Sequence, residues 1–154
     1  MTAIRPATPA DVPLILQFLT DMAAEAGETT GSTEASLLTH GFGPTPRFHG
    51  LIAESDPPLG MILYFPEYST WRGELGLFVQ DVYVAPAGRG QGLGRKLLAA
   101  AMAAADWQPR FLTLMVAHAN RNARAFYAGL GLTLRDEADQ LILEGEGLKA
   151  LMTA

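Results

Sequence analysis

The sequence predicts a single α/β domain of the mixed α+β kind, spanning residues 1–154, with helices flanking a central, mostly antiparallel twisted sheet. Three observations carry this expectation. The apolar period switches from helical to strand-like near Phe48, and back to helical after Gly94. Three strand-like runs then follow one another with only turn residues between them, which makes them antiparallel neighbours. Finally, a strand runs through a glycine-rich turn into a helix, and that helix should return the chain to a strand parallel to its predecessor.

Ala3 to Pro6 reads as a short extended segment, because a residue before proline avoids the helical region. Thr8-Pro9-Ala10-Asp11 has the signature of a helix start: a threonine cap, proline in the first turn and an early acid. Leu14, Ile15, Phe18, Leu19 and Met22 recur at helical spacing and form the expected buried stripe, with Gly27 as the stop. A second short helix is predicted from Thr33 to His40, ended by Gly41-Phe42-Gly43-Pro44. The strand-like runs are Phe48 to Glu54, Gly60 to Tyr68 and Glu74 to Val84. A turn at Asp56-Pro57-Pro58-Leu59-Gly60 separates the first pair, since the prolines set φ there. An alanine-rich helix is expected from Arg95 to Trp107, then a strand from Phe111 to Val116. A helix from Ala119 to Leu130 stopped by Gly131, a last strand from Gln140 to Glu144 and a brief helix from Glu146 to Met152 complete the chain. The predicted order is β-α-α-β-β-β-α-β-α-β-β, with no internal repeat and no linker.

Composition excludes several classes of function. The chain is 49% hydrophobic and 18% charged, too apolar for disorder. No apolar run approaches the ~18 residues of a membrane span, and Arg5, Pro6, Pro9, Asp11 and Pro13 make a poor signal peptide. There is no cysteine, hence no disulfide, thiolate metal site or cysteine nucleophile, which fits a cytoplasmic address. The eleven Lys and Arg residues are scattered and the net charge is -5, so no nucleic-acid-binding patch is expected. An acidic surface mildly favours a cationic small molecule as partner. No potential ligands show a metal-site spacing, so no metal is implied.

The strongest motif begins where Asp81-Val82-Tyr83-Val84 runs into Ala85-Pro86-Ala87-Gly88-Arg89-Gly90-Gln91-Gly92-Leu93-Gly94. A strand, a glycine-rich turn and a helix N-terminus make an anion site, because backbone N–H groups approach phosphate oxygens and the helix end adds about half a positive charge. Arg89 and Arg95 can add charge at the rim. A P-loop would need Gly-Lys-Ser/Thr after four intervening residues, and none is present. The Rossmann pattern fails in both registers, where Leu93 or Arg95 stands in place of the last glycine. The spacing that fits is Arg/Gln-x-x-Gly-x-Gly/Ala, met at Arg89, Gly92 and Gly94.

On this loop, and on Asn120-Arg121-Asn122-Ala123-Arg124-Ala125-Phe126-Tyr127 with the closing Leu130-Gly131, the chain resembles the GNAT superfamily of N-acetyltransferases. The resemblance covers nearly the whole chain from Ile4-Arg5-Pro6-Ala7-Thr8 onward. It implies a sheet splayed at the cofactor site and an acetyl-CoA co-substrate whose pyrophosphate lies on Arg89, Gly90, Gln91, Gly92, Leu93, Gly94 and Arg95. It also implies that the strand at Val82, Tyr83 and Val84 bulges and pairs with the pantetheine arm through backbone groups, one freed N–H pointing at the thioester oxygen. Asn120, Asn122 and Ala123 would lie along the cofactor's path.

Tyr127 is the candidate general acid: a phenol with an ordinary pKa near ~10 is protonated at neutral pH, yet can protonate a leaving thiolate. The general base stays open between ordered water, Asp81, Glu25, Glu28 and Glu74, with His118 a weaker candidate. His40 and His49 are expected to be structural.

Within the superfamily the chain looks most like the diamine (spermidine/spermine) and thialysine N-acetyltransferases, on Gly41-Phe42-Gly43, Phe48-His49, Ala53-Glu54, Tyr68 with Trp71, and Asp81 to Val84 before Arg89-Gly90. That resemblance implies a homodimer acting on a small-molecule amine, with Glu25, Trp71, Gln80 and Asp81 as substrate-binding residues. Gln80 and Ser69 stand where polyamine enzymes usually carry acids, so a smaller lysine-like amine fits better, with Arg47 or Arg72 available for its carboxylate. Two readings remain beside it: a protein N-terminal or lysine acetyltransferase, and a non-catalytic acyl-CoA-binding module.

Overall fold

Five strands form one sheet in chain order: β1 (Ala3–Pro6), β2 (His49–Glu54), β3 (Gly60–Ser69), β4 (Glu74–Val84) and β5 (Leu112–Leu114). The computed structural model describes residues 2–154. The chain divides into a unit ending at Met115, which holds the whole sheet, and a unit from Val116 to Ala154. β1 to β4 are antiparallel neighbours, and β5 lies parallel to β4. Mixed pairing follows from connectivity: tight turns join antiparallel strands, whereas a helix is needed to bring the chain back parallel.

Both faces of the central strands are buried, as their near-continuous apolar runs require. Ile52, Met61, Leu63 and Tyr83 pack with Val12, Ile15, Phe18, Leu19 and Leu37 of α1 (Val12–Glu25) and α2 (Glu34–Phe42). Along β2 and β3 the intervening Leu51, Ala53 and Ile62 are buried as well. On the sheet packs α3 (Leu93–Ala104), whose Leu93, Leu97, Leu98 and Ala101 fall at helical spacing and are all buried.

Several element boundaries differ from expectation. Pro9–Asp11 is a turn of 3-10 helix before α1, and the buried stripe begins at Val12, while Leu14 and Met22 are only half-buried. α2 begins at Glu34, where Thr33 caps it by accepting from the Ser36 N–H at 3.1 Å, and runs through Gly41 and Phe42 to stop at Gly43, which turns extended before Pro44. α3 begins at Leu93 and ends at Ala104, since Ala105 turns extended. β5 keeps only Leu112–Leu114, the stretch that meets Leu77–Val79 of β4.

In the second unit, α4 covers Arg121–Gly129 and α5 covers Gly145–Met152. The strand expected at Gln140–Glu144 is not formed, and residues 132–144 contain neither helix nor strand. Alternation of apolar residues is a strand signal, but a strand needs an edge to pair with; Leu141 is 90% exposed and Ile142 79%. The expected strand at Gln140–Glu144 is therefore irregular chain, while the brief helix expected from Glu146 to Met152 is formed as α5.

One polar cluster pins the start of the fold. Asp11, 8% exposed, accepts two hydrogen bonds of 2.8 Å from the Arg5 guanidinium and one of 2.7 Å from the Thr8 N–H. Arg5 also pairs with Glu54, so β1, β2 and the head of α1 share one guanidinium. The Arg5 hydrogen bonds hold the Asp11 carboxyl down at about 2. A depressed carboxylate stabilises the fold above its unfolded pKa of about 3.9 and loses that contribution as pH falls through the folded value. Asp11→Asn should therefore cost about 1–2 kcal/mol at pH 7, a figure discounted because Arg5 is partly exposed. Urea unfolding at pH 7 and pH 2 checks this, the difference from wild type shrinking toward zero at the lower pH.

Candidate active site

At the end of β4 the chain makes a 3-10 turn, Pro86–Gly88, and enters the glycine turn. Gly90 and Gly92 take φ of +76° and +70°, conformations that side chains resist. Gly92 is the N-cap of α3, and no side chain caps that helix. Its first N–H groups are therefore left for another acceptor. No acid stands in the first turn, whereas Arg95 and Lys96 do. Cations at a helix N-terminus oppose the dipole, so this turn concentrates positive potential and suits a bound anion. Gln91 closes the loop by donating to the Ala87 carbonyl at 3.1 Å.

Upstream, β4 carries a bulge. Leu63 pairs with Asp81 but Tyr64 pairs with Val79, which leaves Gln80 as the extra residue. The β4–β5 ladder stops at the same place: Val79 meets Leu114, and Gln80–Val84 have no strand partner on that side among the described residues, where only the Val84 carbonyl is engaged, by the Arg89 side chain. Strand pairing thus ends where the bulge begins, and an open backbone edge runs from Gln80 toward the glycine turn. An extended ligand could add to such an edge as a strand does. Val82 and Val84 lie on it half-buried, while the Tyr83 side chain turns into the core, 5.3 Å from the Phe18 ring.

A cleft of about 430 Å³ opens beside the bulge, lined by Gln80, Asp81 and Leu63 from the sheet, by Met22, Ala23 and Ala26 of the α1 end, and by Glu28, Thr30 and Ser32 of the following loop. That loop is set by α1's ending. Gly27 N–H bonds to the Ala24 carbonyl at 3.0 Å and Glu28 N–H to the Ala23 carbonyl at 2.8 Å, the paired bonds of a Schellman motif. Asp81 makes no ion pair among the described residues, and burial alone pushes its carboxyl up to about 6. Most of the lining is apolar, Leu19, Leu37 and Phe48 included; its charged groups are the two acids Glu28 and Asp81, with no Lys or Arg beside them, a field that favours a cation with an apolar body.

Other predicted residues lie elsewhere. The Glu25 carboxylate is bound by Arg89 Nη2 at 2.5 Å, and Arg89 Nε donates to the Val84 carbonyl at 2.9 Å. Arg89 therefore braces α1 against β4 instead of adding a free charge at the rim, and Glu25 is not an unengaged acid for a substrate. Trp71 is 100% exposed at the β3–β4 hairpin tip and does not line the cleft. Glu74, the hairpin residue paired with Ser69, stands about seven residues, roughly 23 Å of strand, from Asp81. Arg72 lies 4.9 Å over the Phe111 ring, and neither it nor Arg47 lines the cleft, so no carboxylate-binding cation is supplied there. His49 packs in a tilted aromatic cluster with Tyr64 and Trp107, its ring centroid 5.7 and 5.4 Å from theirs.

In the second unit Asn120 caps α4, its side-chain oxygen accepting from the Ala123 N–H at 3.1 Å, which leaves its amide N–H groups for other use. Asn122 is exposed. Tyr127 is half-buried with Phe126 at 5.2 Å, and its carbonyl accepts from the Leu132 N–H while Gly131 N–H bonds to Ala128, a second Schellman ending. His118 lines a cleft with Arg121, Arg124 and Arg135, poor company for a cationic amine. Among the described residues no group of three His, Cys, Asp or Glu side chains could hold a metal ion, and no helix is long and apolar enough to cross a membrane.

Comparison with known proteins decides the family. Residues 15–132 match the acetyltransferase (GNAT) family. The chain belongs to the GNAT family. Its relatives include a thialysine N-epsilon-acetyltransferase of Bos taurus, 33% identical with 96% of this chain and 95% of that protein covered. A spermidine/spermine N(1)-acetyltransferase-like protein 1 of Homo sapiens is 34% identical over 62% of this chain and 15% of its own length. Among solved structures, a Vibrio cholerae integron cassette protein superposes with a TM-score of 0.80 at 20% identity, covering 99% of this chain and 98% of that one. The mixed sheet flanked by helices is the GNAT fold, and the protein is an N-acetyltransferase.

For a GNAT enzyme, the lining residues missed from the sequence were Thr30 and Ser32. The hydroxyl-rich Thr29-Thr30-Gly31-Ser32 between Gly27 and the helix start at Thr33 was given no role, because a polar turn between two helices carries no motif of its own. The raised Asp81 pKa has a thermodynamic consequence. A carboxyl whose folded pKa exceeds its unfolded value costs stability above the folded pKa and none below the unfolded one. Asp81→Asn should thus stabilise the fold by about 1–3 kcal/mol at pH 8, an advantage that fades below pH ~4. Thermal melts at the two pH values measure it, and an Asn variant less stable at pH 8 would sink the assignment.

Proposed function

We propose that this N-acetyltransferase transfers an acetyl group from acetyl-CoA to a primary amine of a small molecule, a diamine, polyamine or lysine-like amine, by direct attack on the thioester. The observation that carries this reading is the continuity of an open β4 edge with an uncapped glycine turn at one end and, at the other, a largely apolar cleft whose only charged groups are Glu28 and Asp81. Acetyl-CoA supplies an activated thioester when bound. Backbone N–H groups of Gly90 to Arg95 would hold its pyrophosphate, and the free edge at Val82 and Val84 would hold its amide-bearing arm. A backbone N–H freed by the bulge is suited to stabilising the oxyanion that develops on the carbonyl.

The acceptor arrives as an ammonium ion and must lose a proton. Asp81, titrating at about 6, can attract the cation and accept that proton directly or through water. The nitrogen lone pair then forms the new C–N bond as the C–S bond breaks, and the departing sulfur takes a proton from the Tyr127 phenol. Glu28 adds a second acid to the cleft, while the amide at Gln80 weakens attraction for a higher polycation. The names of the thialysine and spermidine/spermine relatives support an amine acceptor of this size. We read residues 1–154 as one catalytic domain; the same resemblance supports a homodimer, and the cysteine-free composition fits a cytoplasmic address.

Thiol release with acetyl-CoA and a panel of diamines, polyamines and lysine analogues tests the proposal; tight donor binding without turnover on any amine would overturn it in favour of a non-catalytic binder. Tyr127→Phe should lower kcat by about 10²-fold or more while donor affinity stays within about threefold by calorimetry. Unchanged turnover would remove Tyr127 from the mechanism. At the glycine turn, Gly92→Glu puts a side chain at φ +70° and a negative charge on the anion site. Calorimetry should find no coenzyme A binding by this variant, with its far-ultraviolet circular dichroism unchanged.

A further inference from the structure

We infer that the Glu25–Arg89 ion pair couples the acyl-donor loop to the wall of the acceptor cleft, which makes both of them positioning residues. The inference rests on the roles proposed above for the glycine turn and the cleft. Arg89 is the first residue of that turn, yet its side chain reaches away from it: Nε holds the Val84 carbonyl at 2.9 Å, Nη2 holds Glu25, and the guanidinium lies 5.8 Å over the Tyr83 ring. Glu25 is the last residue of α1, on the turn whose Met22, Ala23 and Ala26 line the cleft. Two residues on, the chain enters the loop that presents Glu28, Thr30 and Ser32. One guanidinium therefore touches the end of the open β4 edge and the helix end from which the acceptor loop departs.

The pair also fills an electrostatic gap. α1 ends with no basic residue in its last turn, so its carbonyl end lacks the cation that usually complements it. Arg89 brings that cation from the neighbouring loop. Both side chains are about half exposed, and exposed pairs add little to global stability. A contact that stabilises little but joins two binding elements is suited to setting their relative position. When an anion settles on the turn and orders residues 89–94, the order passes through Arg89 to the α1 end. The acceptor cleft is then formed best in the donor-bound enzyme.

Hydrogen exchange of the full-length protein with and without coenzyme A, beside calorimetry of coenzyme A binding, tests the coupling without any choice of amine. In the wild type, exchange across residues 23–32 should slow when coenzyme A binds. In Glu25→Gln the affinity for coenzyme A and the melting temperature should be nearly unchanged, while the slowing disappears. Arg89→Lys should lose it too, because an ammonium cannot span Val84 and Glu25 as the planar fork does. With a turned-over amine, Glu25→Gln should raise the amine KM about fivefold or more, with the acetyl-CoA KM unmoved. Slowing retained in Glu25→Gln would overturn the coupling alone. Loss of coenzyme A affinity in that variant would show instead that the pair holds the donor turn itself, and would overturn it equally. No coenzyme A binding by the wild type would overturn the reading of the turn, and the coupling with it.

Discussion

The structure depends on a place where strand pairing stops. β4 is paired on both sides as far as Val79, then only with β3 to Val84. Buried backbone polar groups are ordinarily satisfied, so a stretch of β4 left open past the end of short β5 is costly unless water or a ligand completes it. The Gln80 bulge lies at the junction and supplies the local change of twist that lets β4 part from β5. What lies beyond inherits that geometry. The edge leads to the glycine turn, and the turn opens on a helix whose first N–H groups no side chain claims.

The cleft follows from the same junction. A bulge reverses the alternation of side chains along a strand, so Gln80 and Asp81 come to line one cleft although they are adjacent in sequence. Asp11 and Asp81, both in the first unit, show how environment sets charge. Asp11 meets a guanidinium and an N–H and is held well below the ordinary carboxylate range. Asp81 meets neither and is raised to about 6. The first is a structural acid whose partners are permanent. The second has no ion-pair partner among the described residues, which is the state expected of a group whose partner is an arriving cation.

Much of this architecture was legible in the sequence, because the elements that position the site obey local rules. β1 and β4 fall where the alternation and the proline rules put them, and the Gly90–Gly94 turn was read from spacing that excluded rival phosphate loops. Legibility failed where a role depends on a contact distant in sequence. Arg89 and Glu25 were each assigned to a ligand, and only the fold shows that they bind each other across 64 positions. Trp71 was drawn toward the substrate by resemblance and Arg72 toward a substrate carboxylate, yet a hairpin tip on a ten-residue strand carries them away from Asp81. The strand expected at Gln140–Glu144 failed for the converse reason: a period of two records which residues could line a face and is silent on whether an edge is present to receive them.

The departures from local rules are not spread evenly. An unclaimed helix start, a bulge, an open strand edge and an unpaired half-buried acid all occur within Val79 to Lys96, while the Arg5–Asp11–Glu54 cluster and the α1–sheet core keep every rule. Each departure taken singly has a bland structural account. Together they describe a surface that withholds hydrogen bonds and charge complementarity from itself, and the missing partners have a definite chemistry: an anion at the helix start, a strand-like chain of amides along the edge, and a cation in the cleft. A protein that had only to be stable would cap α3 with serine or aspartate and replace Asp81 with an apolar residue. The stability forgone over these eighteen or so residues is the clearest physical sign that this segment serves transfer between two ligands and not the fold alone.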